Sequence, residues 1–122
     1  MPATKVNLAD KFATFDEAWR PKVVAQLDDY EVKVVKLDGD FTWHKHEDVD
    51  EMFLVTSGSM SIDFRDGSVD LGPGERIVVP RGVEHCPRAK SGCEALLIEK
   101  AGVVNTGDAE PSALTAGPLD VI

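Results

Sequence analysis

Short β-prone runs follow one another along this chain at roughly 8–12-residue intervals, and that rhythm leaves no room for the crossover helices a parallel sheet requires. From Lys22 onward the runs are Val23–Leu27, Tyr30–Leu37, Phe41–His46, Glu51–Thr56, Ser59–Phe64, Ser68–Leu71, Arg76–Pro80, Glu84–Pro87 and Glu94–Lys100. Asp28-Asp29, Asp38-Gly39-Asp40, Ser57-Gly58, Asp66-Gly67, Gly72-Pro73-Gly74, Arg81-Gly82 and Lys90-Ser91-Gly92 punctuate them, residues that favour turns. The spacing predicts an all-β, antiparallel sandwich or barrel.

A short helix is expected ahead of the strands. Asn7 suits an N-cap, Phe12, Phe15 and Trp19 recur at helical spacing, and Pro21 ends the segment. The aromatic stripe reads as a lid packed on the core. After Lys100 the chain carries Gly102, Gly107, Pro111, Gly117 and Pro118, which predicts an irregular tail with an edge strand at Leu119–Ile122. The expected organisation is a helical segment over 1–21, a β-domain over 22–100 and a tail over 101–122.

Size and charge remove several function classes. At 122 residues the chain has room for one domain with its own core. Its longest apolar runs are too short to span a bilayer, and Met1–Asp10 has no basic-then-apolar leader pattern. With 22 acidic against 13 basic residues and a net charge of −9, it lacks the basic footprint of a nucleic-acid or anionic-membrane partner. Cys86 and Cys93 make no CxxC pair, and a cytoplasmic setting with reduced thiols is expected.

The chain's three histidines carry the chemical signal. His44 and His46 lie in a β-prone run, where alternate residues share a face and both imidazoles can turn to one ion. Glu51 opens the next run, and period 2 places it beside Phe53 and Val55, where an unneutralised carboxylate is costly. With the register one residue off, Asp50 would join Met52 and Leu54 on the inner face instead. Glu47 and Asp48 read as loop charges. His85 follows the Pro80–Gly82 turn and completes an N₃O donor set. Such a set suits a divalent transition metal (Fe, Mn, Ni, Zn or Cu) better than Ca²⁺ or Mg²⁺.

These residues resemble the two motifs of the cupin superfamily. Gly39, His44-x-His46, Glu51 and Gly58 match the first, and Gly74, Pro80-x-Gly82 and His85 the second. One residue fewer separates Gly39 from His44 than is usual, and Ala89 stands where the second motif often has Asn. The match runs from Gly39 to His85, and the chain is similar to small single-domain members labelled mannose-6-phosphate isomerase-like. The resemblance implies an antiparallel jelly-roll barrel with a short N-terminal helix. It assigns His44, His46, Glu51 and His85 as metal ligands.

The function expected on that basis is a metal-binding protein with a small, mostly apolar pocket walled by Phe53, Val55, Ile62 and Phe64. The leading expectation is a metal-dependent enzyme acting on a small oxygenated organic molecule, of isomerase, lyase or dioxygenase type. A non-catalytic metal or small-ligand sensor is the alternative. No catalytic residue is readable beyond the metal ligands. Metal affinity is expected to fall through about pH 6.5 as protons compete for the imidazoles. Apolar residues on both faces of several runs predict a homodimer, packed through Tyr30–Leu37 or the Leu119–Ile122 tail.

Overall fold

The computed structural model describes residues 3–122, so the first two positions of the Met1–Asp10 stretch and of the 1–21 segment lie outside it. One short helix, α1 (Leu8–Phe12), precedes seven strands among the described residues. These are β1 (Lys22–Leu27), β2 (Tyr30–Asp40), β3 (Glu51–Gly58), β4 (Met60–Phe64), β5 (Gly67–Leu71), β6 (Arg76–Val79) and β7 (His85–Lys100). All the strand ladders are antiparallel.

The 16-residue β7 organises the sheet. β2 runs along one edge of it, from Tyr30 opposite Lys100 to Asp40 opposite Arg88. Its other edge is shared: β4 pairs with the His85–Arg88 end, and β3 with the Cys93–Ile98 end. The strand order is β1-β2-β7-β3-β6, with β4 and β5 branching from β7.

The sheet is not closed, which corrects the expected jelly-roll barrel. β1, β5 and β6 each pair with one neighbour and none pairs with another of the three among the described residues. β6 has only four residues to offer. The Phe41–His46 run, expected as a strand, makes a single bridge, His44 to His85, and so adds no ladder that would complete a ring.

Other boundaries also shift. The runs Glu84–Pro87 and Glu94–Lys100 are one strand, with no hairpin turn at Lys90–Gly92 between them. Cys86 and Cys93 therefore lie on the same strand as free, buried thiols. Burial pushes the Cys93 thiol up to about 11. The predicted helix shrinks from Asn7–Trp19 to five residues, though Asn7 caps it as expected, its Oδ1 accepting from Asp10 N at 3.0 Å. Phe12 and Phe15 pack against Val24 and Val34, whereas Trp19 joins a different cluster, so the aromatic stripe is not one helical face. The tail is irregular, and its expected edge strand is reduced to a parallel bridge between Val121 and Val23.

Strand alternation sets the core. Val35, Leu37, Phe53, Val55, Met60, Ile62, Leu71, Val79, Ala95 and Leu97 face inward and bury together. The same alternation carries Glu51 into that interior ahead of Phe53 and Val55, as the sequence predicts.

Candidate metal centre

His44, His46, Glu51 and His85 are all buried, and one potential ligand atom from each lies within 4.8 Å of the others. Donors opposite one another on a single transition ion stand about 4.0–4.4 Å apart, so the cluster is close to the span of one ion. The sequence brought forward these four residues, and the structure brings them to one place. Asp50 stays outside: it is exposed, and its carboxylate accepts from Arg81 N at 2.9 Å.

Three different local devices aim the imidazoles. His44 and His85 exchange backbone hydrogen bonds of 3.0 and 2.9 Å across their bridge, which sets the two rings 4.3 Å apart. Each ring then donates its Nδ1–H to a carbonyl two residues back, His44 to Thr42 O and His85 to Val83 O, both at 2.9 Å. A neutral imidazole has only one N–H, so these bonds leave Nε2 of each ring as a lone pair facing the cluster. His46 is fixed through its backbone, where Gly82 N donates to His46 O at 2.8 Å. Gly82 makes that approach with φ of +77°, a conformation natural to glycine.

The electrostatics are compatible with a cation. Burial, followed by the neighbouring imidazoles, lowers His44 and His46 to about 4. Burial also lowers His85. The three rings are therefore neutral near pH 7. Burial raises Glu51 to about 7. Glu51 Oε1 lies 3.3 Å from His85 Nε2 and 3.6 Å from His46 Nε2. These are lone-pair atoms facing each other in a dry site, an arrangement that needs a proton or a metal ion between them. His46 Nε2 is buried with no hydrogen-bond partner among the described residues. An N₃O donor set with an orphaned buried nitrogen fits a divalent transition metal.

A small cavity of about 30 Å³ adjoins the cluster. His44, Glu51 and Phe53 line it, together with Val35, Leu37 and Leu97 of the core. Val55 and Ile62 are buried in that same core, and Phe64 packs against it. Trp19, Pro21 and Asn105 also line the cavity, residues the sequence reading did not assign to the site. Trp19 is stacked on Phe41 with ring centroids 4.6 Å apart, and Phe41 sits edge-on to His44 at 5.3 Å. Trp19 has φ of +60°, a left-handed backbone that costs a side-chain-bearing residue about 1–2 kcal/mol. Hydrogen bonds from Trp19 N to Lys36 O and from Nε1 to Asp38 O, both 2.8 Å, hold it there. No sequence pattern marks Trp19 or Asn105 for this place. Lys33 and Glu99, buried behind Glu51, were legible: both share strand parity with core residues, the signal that singled out Glu51.

An antiparallel sheet with a buried His₃Glu cluster at its interior is a cupin-type arrangement with a candidate metal site. A family model described as a cupin domain matches residues 31–99, more than half of the chain, and the chain belongs to the cupin superfamily. A crystal structure of a cupin-2 domain protein from Shewanella frigidimarina is 46% identical, with a TM-score of 0.77 over 78% of this chain and 93% of that one. The protein NMB1881 from Neisseria meningitidis is 36% identical, with a TM-score of 0.74 over 80% of this chain and all of the other. An uncharacterized protein of Bacillus subtilis, YdbB, is 31% identical over 67 residues. That match spans 54% of this chain and 59% of the relative's length. No helix among the described residues is long and apolar enough to cross a membrane.

Proposed function

We propose that this cupin binds one divalent transition ion through His44, His46, Glu51 and His85 and presents it to a small molecule in the adjoining cavity. The observation that carries this reading is the convergence of four buried donors in which His46 Nε2 has no other partner. Fe, Mn, Ni, Zn and Cu all accept such a donor set. A bound ion would act as a Lewis acid on an oxygen of the small molecule. Thr42 O and Val83 O would keep His44 and His85 in the ligating tautomer, and the surrounding apolar side chains would exclude water from the ion.

The proposed activity is that of a metal-dependent enzyme on a small oxygenated organic molecule, of isomerase, lyase or dioxygenase type. Among the described residues, the cavity lining holds no Ser-His-Asp arrangement and no acid–base pair apart from the ligands, and the ion would carry the chemistry.

Elemental analysis of protein purified without chelators or an affinity metal tests the reading. About one transition ion per chain is expected in the native protein. His44→Ala and Glu51→Ala are expected to lose most of it. Native protein without metal, or variants that keep a full complement, would refute the assignment.

A further inference from the structure

The cavity beside the cluster is closed by parts of the chain that lie outside the family-matched residues 31–99. Trp19 and Pro21 come from the N-terminal segment, and Asn105 comes from the tail. The two segments are stitched to each other. Asn105 Nδ2 donates to Trp19 O at 3.3 Å and to Leu114 O at 2.9 Å, and Arg20 donates to Ala113 O and Leu114 O. This roof lies beside His44 and Glu51 and bears directly on what reaches the ion.

Its chemistry restricts the ligand. Both Asn105 Nδ2 hydrogens are spent on Trp19 O and Leu114 O, and Oδ1 accepts from Ala116 N at 2.8 Å. Trp19 Nε1 is committed to Asp38 O. Pro21 and Pro87 have no N–H, and Val35, Leu37, Phe41, Phe53 and Leu97 are apolar. Apart from His44 and Glu51, no side-chain N–H or O–H in the wall, among the described residues, is free to donate to a ligand. A ligand with a polar group directed away from the ion would bury it unpaired. Space adds a second limit, because the cavity is only about 30 Å³.

We infer that the centre admits only a small ligand whose polar atoms all meet the ion, and that Trp19 is the specificity-determining residue that sets this limit. The inference rests on the reading of the cluster as a metal centre. Trp19 holds a left-handed backbone that any residue but glycine adopts at a cost, and two hydrogen bonds to β2 lock it there. Trp19 is 8% exposed, its indole is stacked on Phe41, and it lines the cavity together with His44 and Glu51. Removing it leaves the four ligands in place and enlarges the space in front of them.

The test uses the full chain loaded with Co(II), whose visible absorption reports a change of ligand. Stoichiometric Co(II) binding is read first, and its failure would overturn the metal reading itself, and this inference with it. Azide, a slender linear anion of three atoms that coordinates through one end, is then compared with 4-phenylimidazole, which carries a bulky phenyl group on its donor ring. Trp19→Gly suits the left-handed backbone and should bind 4-phenylimidazole about tenfold or more tighter than native protein, the equivalent of relieving an overpacked contact. Azide affinity should change by no more than about twofold, since its contacts are with the ion. Trp19→Phe keeps a smaller ring in the roof and should show a weaker gain in the same direction, so the test survives if the glycine variant does not fold. Equal 4-phenylimidazole affinity in native protein and the folded variants, or a parallel gain for azide, would overturn the role of Trp19.

Discussion

Lys33 Nζ lies 3.0 Å from Glu99 Oε1, and the two side chains, 1% and 2% exposed, are sealed inside the sheet behind Glu51. Glu31 reaches the same ammonium at 3.7 Å from the half-buried edge. A buried charge stripped of its partner costs about 3–5 kcal/mol, whereas replacing the whole pair by apolar groups is often neutral. Above about pH 8, where Glu99 carries its charge, Lys33→Met is therefore expected to lower unfolding stability by about 3–5 kcal/mol, and Lys33→Met with Glu99→Met to recover most of that loss. Denaturant titration of both variants reads the difference. A single variant as stable as the native protein would show that the pair carries no such weight.

The pH dependence has two opposed parts. His44 and His46 fall from 6.5 to about 4 on folding. Between those values the unfolded chain holds protons that the folded chain does not, and stability drops as the pH falls through that window. Glu51 rises from 4.5 to about 7 and Glu99 from 4.5 to about 8, chiefly through burial. Here the folded chain holds the extra protons, so stability drops as the pH rises above 4.5. Metal-free protein should thus be most stable where the two windows overlap and should lose stability toward pH 8. Melting curves from pH 4 to 8 check it, and a steady gain toward pH 8 would contradict the assignment.

Metal affinity follows from the same groups and corrects the expectation that imidazole protons dominate near pH 6.5. The buried imidazoles titrate near 4, so protons compete for them only in acid. The proton that an ion must displace near neutrality is on Glu51, at about 7. Affinity is expected to fall as pH drops below about 7, with close to one proton released per ion bound near pH 6. Glu51→Gln should bind far more weakly and lose that proton release. Calorimetric titration in buffers of different ionisation enthalpy measures it directly.

The ligand set was legible because each member broke a local expectation. Three histidines in a chain this short and a glutamate in phase with Phe53 and Val55 need no tertiary information to stand out. Open topology was not legible. The Phe41–His46 run has strand-like composition, and only the packing around it shows that it makes one bridge and no ladder. The place of Trp19 beside the cluster was not legible for a related reason. Its spacing from Phe12 and Phe15 matches a helical face, yet a left-handed residue turns it into the other core cluster. A single non-glycine residue with positive φ leaves no pattern in sequence.

Gly107 explains how a non-strand segment holds two ligands still. It has φ of +53°, and a side chain there would drive into the Lys45 carbonyl and against the His44 ring. That contact lets Asp108 close on the same segment, accepting from Lys45 N at 2.8 Å and donating its own N–H to Lys45 O at 3.2 Å. Gly107→Ala should push the tail off the His44–His46 segment and lower metal affinity by about tenfold, the lower end of effects seen when ligand-orienting contacts are lost. Competition with a chromophoric chelator reads the change. Unaltered affinity would mean that the tail does not position the ligands.

The expected homodimer would pack through the outer face of the sheet. Directly opposed residues share a face, so the registers Val78–Met52, Met52–Ile98 and Ile98–Val32 draw one apolar row across β6, β3, β7 and β2. Phe12 of α1 and Phe15 just after it cover the neighbouring Val24 and Val34, while Val78 remains 44% exposed. A row of this kind on a sheet's solvent side is the usual mark of a protein contact. Two chains packed through it would bury four strands' worth of apolar side chains that otherwise meet water. Light scattering at micromolar concentration is expected to give twice the chain mass. Met52→Lys places a charge at the centre of the row and should give the mass of one chain while the metal content stays unchanged, because Met52 points away from Glu51 and the cluster. A single-chain mass for the native protein would remove the interface.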